Sequence, residues 1–280
     1  MNCRREGCQT MKDMPRRESP IITSRANIAF KGLLELIFSS GIRESGFFLA
    51  GGPKVTREII SWRPDLVAAW IRAPDMPAKP QAMAHAAEVT LSKALFNEVN
   101  PAGTPGPLLK VRAPEIKPFI PDAHWPRGAS LFIPFGDPEN VGAAIRAAAG
   151  LGAARVILLG EAACPFLPRA IRASAGAVLR IRIEQGPDLE GLAALASPIP
   201  LFALDARGNS LEKTAWPETF GLVAGTEGQG LPAALRRQWQ AVSIPLANSV
   251  ESLNAASAVA VALWDWKAKQ ALRAGPTVEG

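Results

Sequence analysis

The chain has 280 residues, 48% of them apolar, so it is long enough for two globular domains and can bury a sizeable core. Its formal net charge of +6 is compatible with a nucleic-acid partner, and equally with a slightly basic enzyme that has none. It lacks the ~18 uninterrupted apolar residues of a membrane span, and its polar leader lacks the apolar core of a signal peptide, so we expect a cytoplasmic protein.

Cysteine and histidine are few and scattered. The three cysteines, Cys3, Cys8 and Cys164, form no ligand cluster with the two histidines, His85 and His124. This usage is typical of a reducing compartment. We interpret each histidine as a surface or packing residue rather than a ligand or base, and we predict no metal site.

The first half of the chain is predicted to be a charged, flexible tail at 1–19 followed by a small α/β domain at 20–113. Apolar periodicity predicts the elements of this domain: helix 29–37, strand 46–50, helix 55–62, strand 66–71, an Ala-rich helix 81–97 and strand 108–111. Four prolines then interrupt the chain: Pro114, Pro118, Pro121 and Pro126. Since proline lacks an amide proton and disfavours helix before it, residues 114–127 are predicted to be a linker.

From residue 128 onward, apolar strands alternate with Ala-rich helices. The predicted elements are strand 130–135, helix 138–151, strand 155–159, helix 166–174, strand 178–183, strand 201–204, strand 220–224, strand 242–246 and helix 250–273. Continuous apolar strands between helices are typical of a parallel sheet covered on both faces. The predicted fold class is therefore α/β, with a parallel-sheet domain at 128–280 after the smaller α/β domain.

The first candidate site is the helix start after strand 130–135. Asp137 is a good N-cap, and Pro138 suits the first helical position. Asn140 follows, and Gly142 lies one turn before Arg146, where the missing side chain is predicted to leave room beside the guanidinium. An ordinary helix start with a surface arginine explains this segment alone at least as well.

The second candidate site follows strand 220–224 and has three glycines in six residues, Gly225-Thr226-Glu227-Gly228-Gln229-Gly230. Glycine permits positive φ and close backbone approach to a ligand. The spacing matches neither the dinucleotide-binding G-x-G-x-x-G nor a P-loop. A common glycine-rich turn remains the alternative.

The third candidate site precedes the last helix. Asn248 and Glu251 are predicted to form a capping box at the helix start. Ser252 and Asn254 place further polar groups there. Plain helix capping explains these residues when they are taken alone.

In this order, an Asn-x-Gly-x-x-x-Arg helix start, a Gly-x-Glu-x-x-Gly turn and a Ser-Leu-Asn helix start resemble the three motifs of the SpoU (TrmH-like) family of RNA ribose methyltransferases. The resemblance covers about residues 128–273, and the third motif is the most specific. Residues 172–177 also look like the family's segment between the first two motifs. Residues 20–113 more weakly resemble the family's N-terminal RNA-binding substrate domain, through 22–27, Lys31 and Gly51-Gly52. Many relatives carry glutamate where Gly52 stands.

The resemblance implies S-adenosylmethionine as cofactor, a ribose 2′-hydroxyl of RNA as methyl acceptor, a deep trefoil knot at the C-terminus and a homodimer whose interface builds each site. It implies these catalytic residues: Arg146, Asn140, Glu227, Ser252 and Asn254. It implies these cofactor-binding residues: Gly225, Thr226, Glu227, Gly228, Ile244, Leu246, Ser252, Leu253 and Asn254. Arg146 would stand beside the hydroxyl, oriented by Asn140, either as an unusual base or as an electrostatic stabiliser of the developing alkoxide.

Several alternatives stay open. Ribosomal RNA is the first-choice substrate because of the two-domain layout, and transfer RNA is the second. A non-catalytic RNA-binding factor with the same fold is disfavoured because the five polar motif residues are all present. A nucleotide-dependent enzyme such as a dehydrogenase is disfavoured by the glycine spacing.

Overall fold

The structure is a computed structural model that describes residues 20–121, 125–228, 230–247 and 250–274, without the side chains of residues 236 and 274. The tail predicted at 1–19 lies outside the described residues. So do His124, within the predicted linker, Gln229 in the glycine-rich turn and Asn248 before the last helix.

In the described ranges, the first half of the chain forms a four-stranded sheet with helices around it. Its elements are α1 (Ile28–Leu34), α2 (Ser39–Ser45), β1 (Phe47–Gly51), α3 (Pro53–Trp62), β2 (Val67–Arg72), β3 (Ala87–Thr90), α4 (Lys93–Val99) and β4 (Leu108–Arg112). The strand order is β1-β4-β2-β3; β4 is antiparallel to both neighbours, whereas β2 and β3 are parallel. Asn27 caps α1 by accepting the amides of Ala29 and Phe30.

The helix predicted at 81–97 is wrong for most of its length. Residues 87–90 form β3, and helix α4 begins only at Lys93, where Ser92 caps it. Glu88 bonds the Arg72 side chain of β2 at 2.8 Å. Strand pairing and burial therefore override the helical propensity of the alanines in this stretch. Helix α2 was not predicted.

The second half forms a larger sheet, whose described strands are all parallel, in the order β11-β9-β10-β6-β7-β8-β5. Its elements are β5 (Lys117–Pro118), β6 (Gly128–Ile133), α5 (Pro138–Leu151), β7 (Arg155–Leu158), α6 (Pro168–Ser174), β8 (Ile183–Gln185), α7 (Leu189–Ala194), β9 (Leu201–Ser210), β10 (Thr219–Val223), α8 (Ala233–Gln238), β11 (Gln240–Ser243) and α9 (Ala255–Ala274). The predicted α/β class with a parallel sheet is confirmed. Helices α7 and α8 were not predicted.

Two stretches of this half differ from their predicted form. β5 lies inside the stretch predicted as a linker and pairs with β8, and Phe119 after it is buried in the core. The strand predicted at 178–183 is instead a 3-10 turn at 177–179, and β8 begins only at Ile183. Ala175 and Gly176 have positive φ values of 49° and 81° and reverse the chain just before that turn.

The last helix starts later than predicted. The predicted range was 250–273, but α9 begins at Ala255. Asn254 is its cap, because its Oδ1 accepts the amides of Ala256 at 3.0 Å and Ser257 at 3.2 Å. Of the predicted capping box, Asn248 lies outside the described residues, and Glu251 precedes the helix. Residues 251–254 line a cavity instead of forming a helical turn.

The two halves pack against each other through apolar and cationic contacts. The rings of Phe48 in β1 and Phe166 before α6 stack at 5.1 Å. The guanidinium of Arg180 lies 3.5 Å from the ring of Trp62 at the end of α3. One cluster of buried apolar residues includes members of both sheets. None of the helices in the described ranges combines the length and apolar character that a membrane crossing requires.

Candidate active site

A cavity of about 480 Å³ opens at the carboxyl ends of the central strands of the large sheet. This size is within the usual range for small-molecule sites. Carboxyl ends of parallel strands meet at one edge, so loops distant in sequence converge there. The lining comprises Asn140, 204–207 from β9, 224–228 and 230 after β10, 242–244 and 246 at the end of β11, 251–255, and Ala258.

The cavity brings together all but one of the residues proposed for the site from the sequence. Asn140 comes from the first motif. The other nine come from the second and third motifs: Gly225, Thr226, Glu227, Gly228, Ile244, Leu246, Ser252, Leu253 and Asn254. Arg146 is the exception. It lies exposed on α5 and is not among the described lining residues.

Glu227 anchors the second motif to the first. Its Oε2 accepts the amide of Gly136 at 2.9 Å, and the amide of Asp137 lies 3.3 Å from both carboxylate oxygens. Its Oε1 accepts the side-chain amide of Asn140 at 2.7 Å. A carboxylate accepting several N–H groups is held strongly, so Glu227 fixes the loop that leads into α5.

Asn140 extends this network to the third motif. Its Oδ1 accepts the Nδ2 of Asn254 at 2.8 Å. Asn254 uses its own Oδ1 to cap α9. One chain of hydrogen bonds, from Glu227 through Asn140 to Asn254, therefore joins residues that are 87 and 114 positions apart.

The glycine-rich turn closes on itself beside the cavity. Thr226 and Gly230 exchange backbone hydrogen bonds of 3.2 and 3.0 Å. A Cβ on Gly225 would lie 2.8 Å from the backbone of Gly230, so this position has no room for a side chain. Gly228 and Gly230 have φ values of 83° and 67°, which L side chains rarely adopt. The structure shows the positive φ values that glycine permits here, and the close backbone approach within the turn is between Gly225 and Gly230.

Residues 204–207 are lining residues that the sequence reasoning missed. The pairing of β9 with β11 jumps from Ala203 to Asn209, so residues 204–208 bulge out of the strand toward the cavity. The bulge ends at Gly208, next to β11. A Cβ at this position would lie 2.4 Å from the carbonyl carbon of Ala241, so the close approach of the two strands requires glycine. The signal in the sequence was the polar, glycine-containing run that follows Leu204, whereas a short strand ending at 204 was predicted.

Gly142 serves helix packing rather than the space beside Arg146. A Cβ there would lie 2.3 Å from the carbonyl oxygen of Ala170 and 2.9 Å from the side chain of Ala173, both on α6. The prediction that this glycine leaves room for the guanidinium is therefore wrong. Glycine is required because α5 and α6 approach each other closely.

The histidine and the cysteine of the described residues lie outside this cavity. The ring of His85 bonds the carbonyl oxygen of Pro64. Burial raises the pKa of the Cys164 thiol, which favours its neutral form. Across the described ranges, no group of three or more His, Cys, Asp or Glu side chains could hold a metal ion. The described lining itself offers amides, carboxylates, hydroxyls, the guanidinium of Arg207 and backbone groups.

Comparison with known families identifies this region. Residues 132–264, which contain all three motifs, match the SpoU rRNA Methylase family. The part of the chain that carries the candidate site therefore belongs to this family. SpoU membership explains why the three motifs meet at one cavity.

Two curated relatives are named as ribosomal RNA methyltransferases. The chain is 42% identical over 247 residues to "Ribosomal RNA small subunit methyltransferase G 2" from Syntrophobacter fumaroxidans, covering 88% of this chain and 48% of the relative. It is 33% identical over 137 residues to "23S rRNA (uridine(2479)-2′-O)-methyltransferase" from Streptomyces viridochromogenes, covering 46% of this chain and 48% of the relative. The chain thus spans about half the length of the curated relatives it matches.

Solved structures share the SpoU fold over nearly the whole chain. An AdoMet-bound rRNA methyltransferase from Sinorhizobium meliloti has a TM-score of 0.73 at 22% identity, covering 89% of this chain and 98% of that one. A SpoU methyltransferase from Streptomyces viridochromogenes, in complex with AdoMet, has a TM-score of 0.71 at 23% identity, covering 87% and 98%. At these identities the likeness concerns the fold alone.

Proposed function

We propose that this protein is an S-adenosylmethionine-dependent methyltransferase that modifies a ribose 2′-hydroxyl of ribosomal RNA. The observation that carries the proposal is the hydrogen-bonded chain Glu227–Asn140–Asn254 at the edge of a cavity built by the three SpoU motifs. The relative that methylates a uridine 2′-oxygen in 23S rRNA supports the ribose as acceptor.

The residues of the cavity fit this cofactor. The turn residues 225–228 and 230 line the cavity, and glycine at 225, 228 and 230 gives a ligand access to backbone groups there. Ile244, Leu246 and Leu253 provide apolar surface, and three residues with carboxylates, Asp205, Glu227 and Glu251, also line the cavity. Carboxylates favour a nearby cation. Bound there, S-adenosylmethionine would supply an electrophilic methyl group on a cationic sulfur.

The residues of the chain would then position the ribose and stabilise the charge that develops on its oxygen. Glu227 holds Asn140, and Asn140 and Asn254 hold each other, so the polar edge of the cavity is preorganised for the ribose. Ser252 lies next to them on the cavity wall. Arg146 would stabilise charge forming on the ribose oxygen, or take its proton.

We further propose that Arg146 acts in the site of a second copy of the chain. It lies exposed on the α5 face that also carries Glu139, seven residues earlier. Helix α9 packs against α5 and exposes Val261 and Trp264, the latter at 62%. Such a surface suits a homodimer, in which Arg146 of one protomer would reach the cavity of its partner.

The proposal includes three finer statements. Residues 20–113 form an RNA-binding substrate domain, joined through 114–127 to the methyltransferase domain at 128–280. The C-terminus forms a deep trefoil knot, for which the return of 251–254 to Asn140 before α9 packs on α5 is the support. An enzyme that modifies ribosomal RNA would work in the cytoplasm.

The test is methylation of defined RNAs. Purified protein with S-adenosylmethionine would be incubated with in vitro transcribed 16S and 23S rRNA and with a pool of transfer RNA transcripts, and ribose methylation mapped by mass spectrometry. We expect one 2′-O-methylated nucleotide in one ribosomal RNA. Methylation of transfer RNA alone would reassign the substrate. Cofactor binding by titration without methylation of any RNA would favour the non-catalytic alternative.

The action of Arg146 across two protomers has its own test. Arg146→Ala and Asn254→Ala variants, each inactive alone, would be mixed and allowed to exchange subunits. If Arg146 serves the partner's cavity, a mixed dimer has one intact site, and an equal mixture recovers about a quarter of the wild-type sites. If Arg146 serves its own cavity, no mixed dimer has an intact site and no activity returns.

A further inference from the structure

A second cavity, of about 380 Å³, lies between the two halves of the protein. Its walls are the turn from β1 into α3 (residues 51–55), the loop 102–105 before β4, and Arg172 on α6. Both halves therefore contribute to it. The SpoU motifs do not, since Arg172 lies outside all three.

The charge of this cavity is positive. Lys54 and Arg172 are its charged lining residues, and both are exposed; no acidic side chain occurs among the described lining residues. The Nη1 of Arg172 donates to the carbonyl oxygen of Ala102 at 2.9 Å, which holds the guanidinium at the cavity wall. A guanidinium has five N–H donors, so others remain for an anion. Two cations from two halves of the chain thus face one cavity.

Surface cations connect this cavity to the candidate active site. Arg169 lies three residues before Arg172 on α6, so the two share one side of the helix. The Nε of Arg169 donates to Glu139 at 3.2 Å, and Glu139 immediately precedes Asn140 of the active-site network. Lys54, Arg172 and Arg169 therefore form a basic track that leads from the cavity between the halves to the start of α5.

We propose that this basic track binds the phosphate backbone of the substrate RNA, with one phosphate seated between Lys54 and Arg172. The inference rests on the proposed RNA methyltransferase function and adds where the RNA lies outside the active site. Phosphate is the anion that a fixed guanidinium beside a lysine ammonium binds best. Three cations spread over α3 and α6 suit a polyanion better than a single small ion.

The test removes the two charges while keeping polar side chains. Lys54→Gln and Arg172→Gln would be combined, since glutamine retains an N–H donor for the bond to Ala102. Binding of in vitro transcribed 16S or 23S rRNA, whichever the wild type methylates, would be measured at salt concentrations from about 50 to about 300 mM. We expect affinity to fall about tenfold, and the slope of log K against log salt to shrink by about 1 per charge removed.

The matched control is Lys93→Gln, which removes an exposed cation of the small-sheet half that pairs with Asp75 instead of facing this cavity. It should bind RNA like the wild type. The double variant should keep its cofactor affinity, its thermal unfolding and its kcat at saturating RNA, while its KM for RNA rises. An unchanged salt slope in the double variant would overturn the basic track.

Two further outcomes are informative. If inorganic phosphate at low millimolar concentration protects the wild type against unfolding but not the double variant, while RNA binding is equal in both, the cavity is a small-anion site and the proposal is wrong. If the wild type itself methylates no RNA, the proposed function fails, which is a different result from an unchanged salt slope in an active enzyme.

Discussion

The two sheets of this protein divide its tasks according to the direction of their strands. The described strands of the large sheet are all parallel, so the loops after β6, β10 and β11 meet at one edge and build the candidate active site. The small sheet mixes directions, since β4 is antiparallel to both of its neighbours. Its strand ends are therefore spread over two edges of the sheet. This half contributes one wall of the second cavity, including the exposed Lys54. Strand direction therefore decides which half collects polar loops.

The two halves also differ in how they use charge, which gives the largest expected effect on stability. In the large sheet, Arg155 donates hydrogen bonds to Ser130 at 3.0 Å and to Glu184 at 2.9 Å. The side chains of this ion pair are buried: that of Arg155 is 4% exposed and that of Glu184 is 2% exposed. Glu184→Gln should lower the free energy of unfolding by about 3–5 kcal/mol, because it removes the charge of a buried carboxylate that pairs with the buried Arg155.

The matched pair in the small-sheet half is Arg25 with Glu98, whose arginine side chain is 75% exposed. Glu98→Gln should cost less than about 1 kcal/mol. Urea denaturation of both variants measures the difference. Equal losses would show that burial does not separate the charges of the two halves.

The next largest effect is on rate and belongs to the large-sheet half. Arg146→Ala should slow single-turnover methylation about 10²–10³-fold, as removal of a donor to a developing oxyanion does. Folding and cofactor affinity should stay normal because Arg146 is exposed and does not line the described cavity. Arg146→Lys should restore little, since an ammonium does not reproduce a planar fork of donors.

This result contrasts with that expected for Lys54 and Arg172, whose removal should weaken RNA binding and spare the rate at saturation. Single-turnover methylation with saturating cofactor and RNA distinguishes the two kinds of cation. A near wild-type rate for Arg146→Ala would remove this residue from the catalytic group and leave it among the cations that only attract RNA.

A smaller effect tests the close packing of the large-sheet half. Gly142→Ala places a methyl group against the backbone of Ala170 and should cost about 1–3 kcal/mol. Gly150, on the same helix, has open space around its Cβ position. Gly150→Ala should stabilise by about 0.5–1 kcal/mol, because alanine favours the helix. Thermal unfolding should therefore shift in opposite directions; a gain of similar size in both variants would mean that helix propensity, and not close packing, decides the effect at Gly142.

The smallest effect is a pH dependence in the small sheet. Burial alone would raise the pKa of Glu88, but the hydrogen bonds from Arg72 and the amide of Lys79 outweigh it and lower the pKa below its ordinary value of 4.5. The stabilisation is therefore complete above pH 4.5 and disappears as the pH falls through the lower, folded value. At neutral pH the free energy of unfolding of the wild type should exceed that of Glu88→Gln by about 1 kcal/mol or less. Urea denaturation at pH 7 and at successively lower pH measures this advantage, which should shrink as the pH falls below 4.5.

The sequence was most informative where local signals and burial agreed. Helix 138–151 has a capping aspartate, a proline at its first position and a glycine after its end, and α5 has the predicted bounds. The prediction failed where tertiary contacts decided: the Ala-rich stretch at 81–97 contains a strand because Glu88 and Val89 pair with β2. Two residues of β5 could not be predicted from propensity, since only their pairing with β8 orders them.

For the site, motif order predicted which residues meet but not how they bond. The spacing of Asn140, Glu227 and Asn254 contains no information about distance, and the fold alone brings them within 2.7 and 2.8 Å. The bulge at 204–208 was missed because its register jump depends on the partner strand β11. Gly142 was assigned to the wrong neighbour, since helix periodicity does not reveal which helix packs against a glycine.

Asn254 has a consequence for how the site can be observed. One end of its side chain caps α9 at Ala256 and Ser257, and the other end bonds Asn140. The hydrogen exchange of those two backbone amides therefore reports on the state of the polar network. A ligand that tightens the network should slow exchange there, while the rest of α9 keeps its own rate. The exchange rates of two amide protons at a helix end should therefore report whether the cavity holds a ligand, without any label on the cofactor or the RNA.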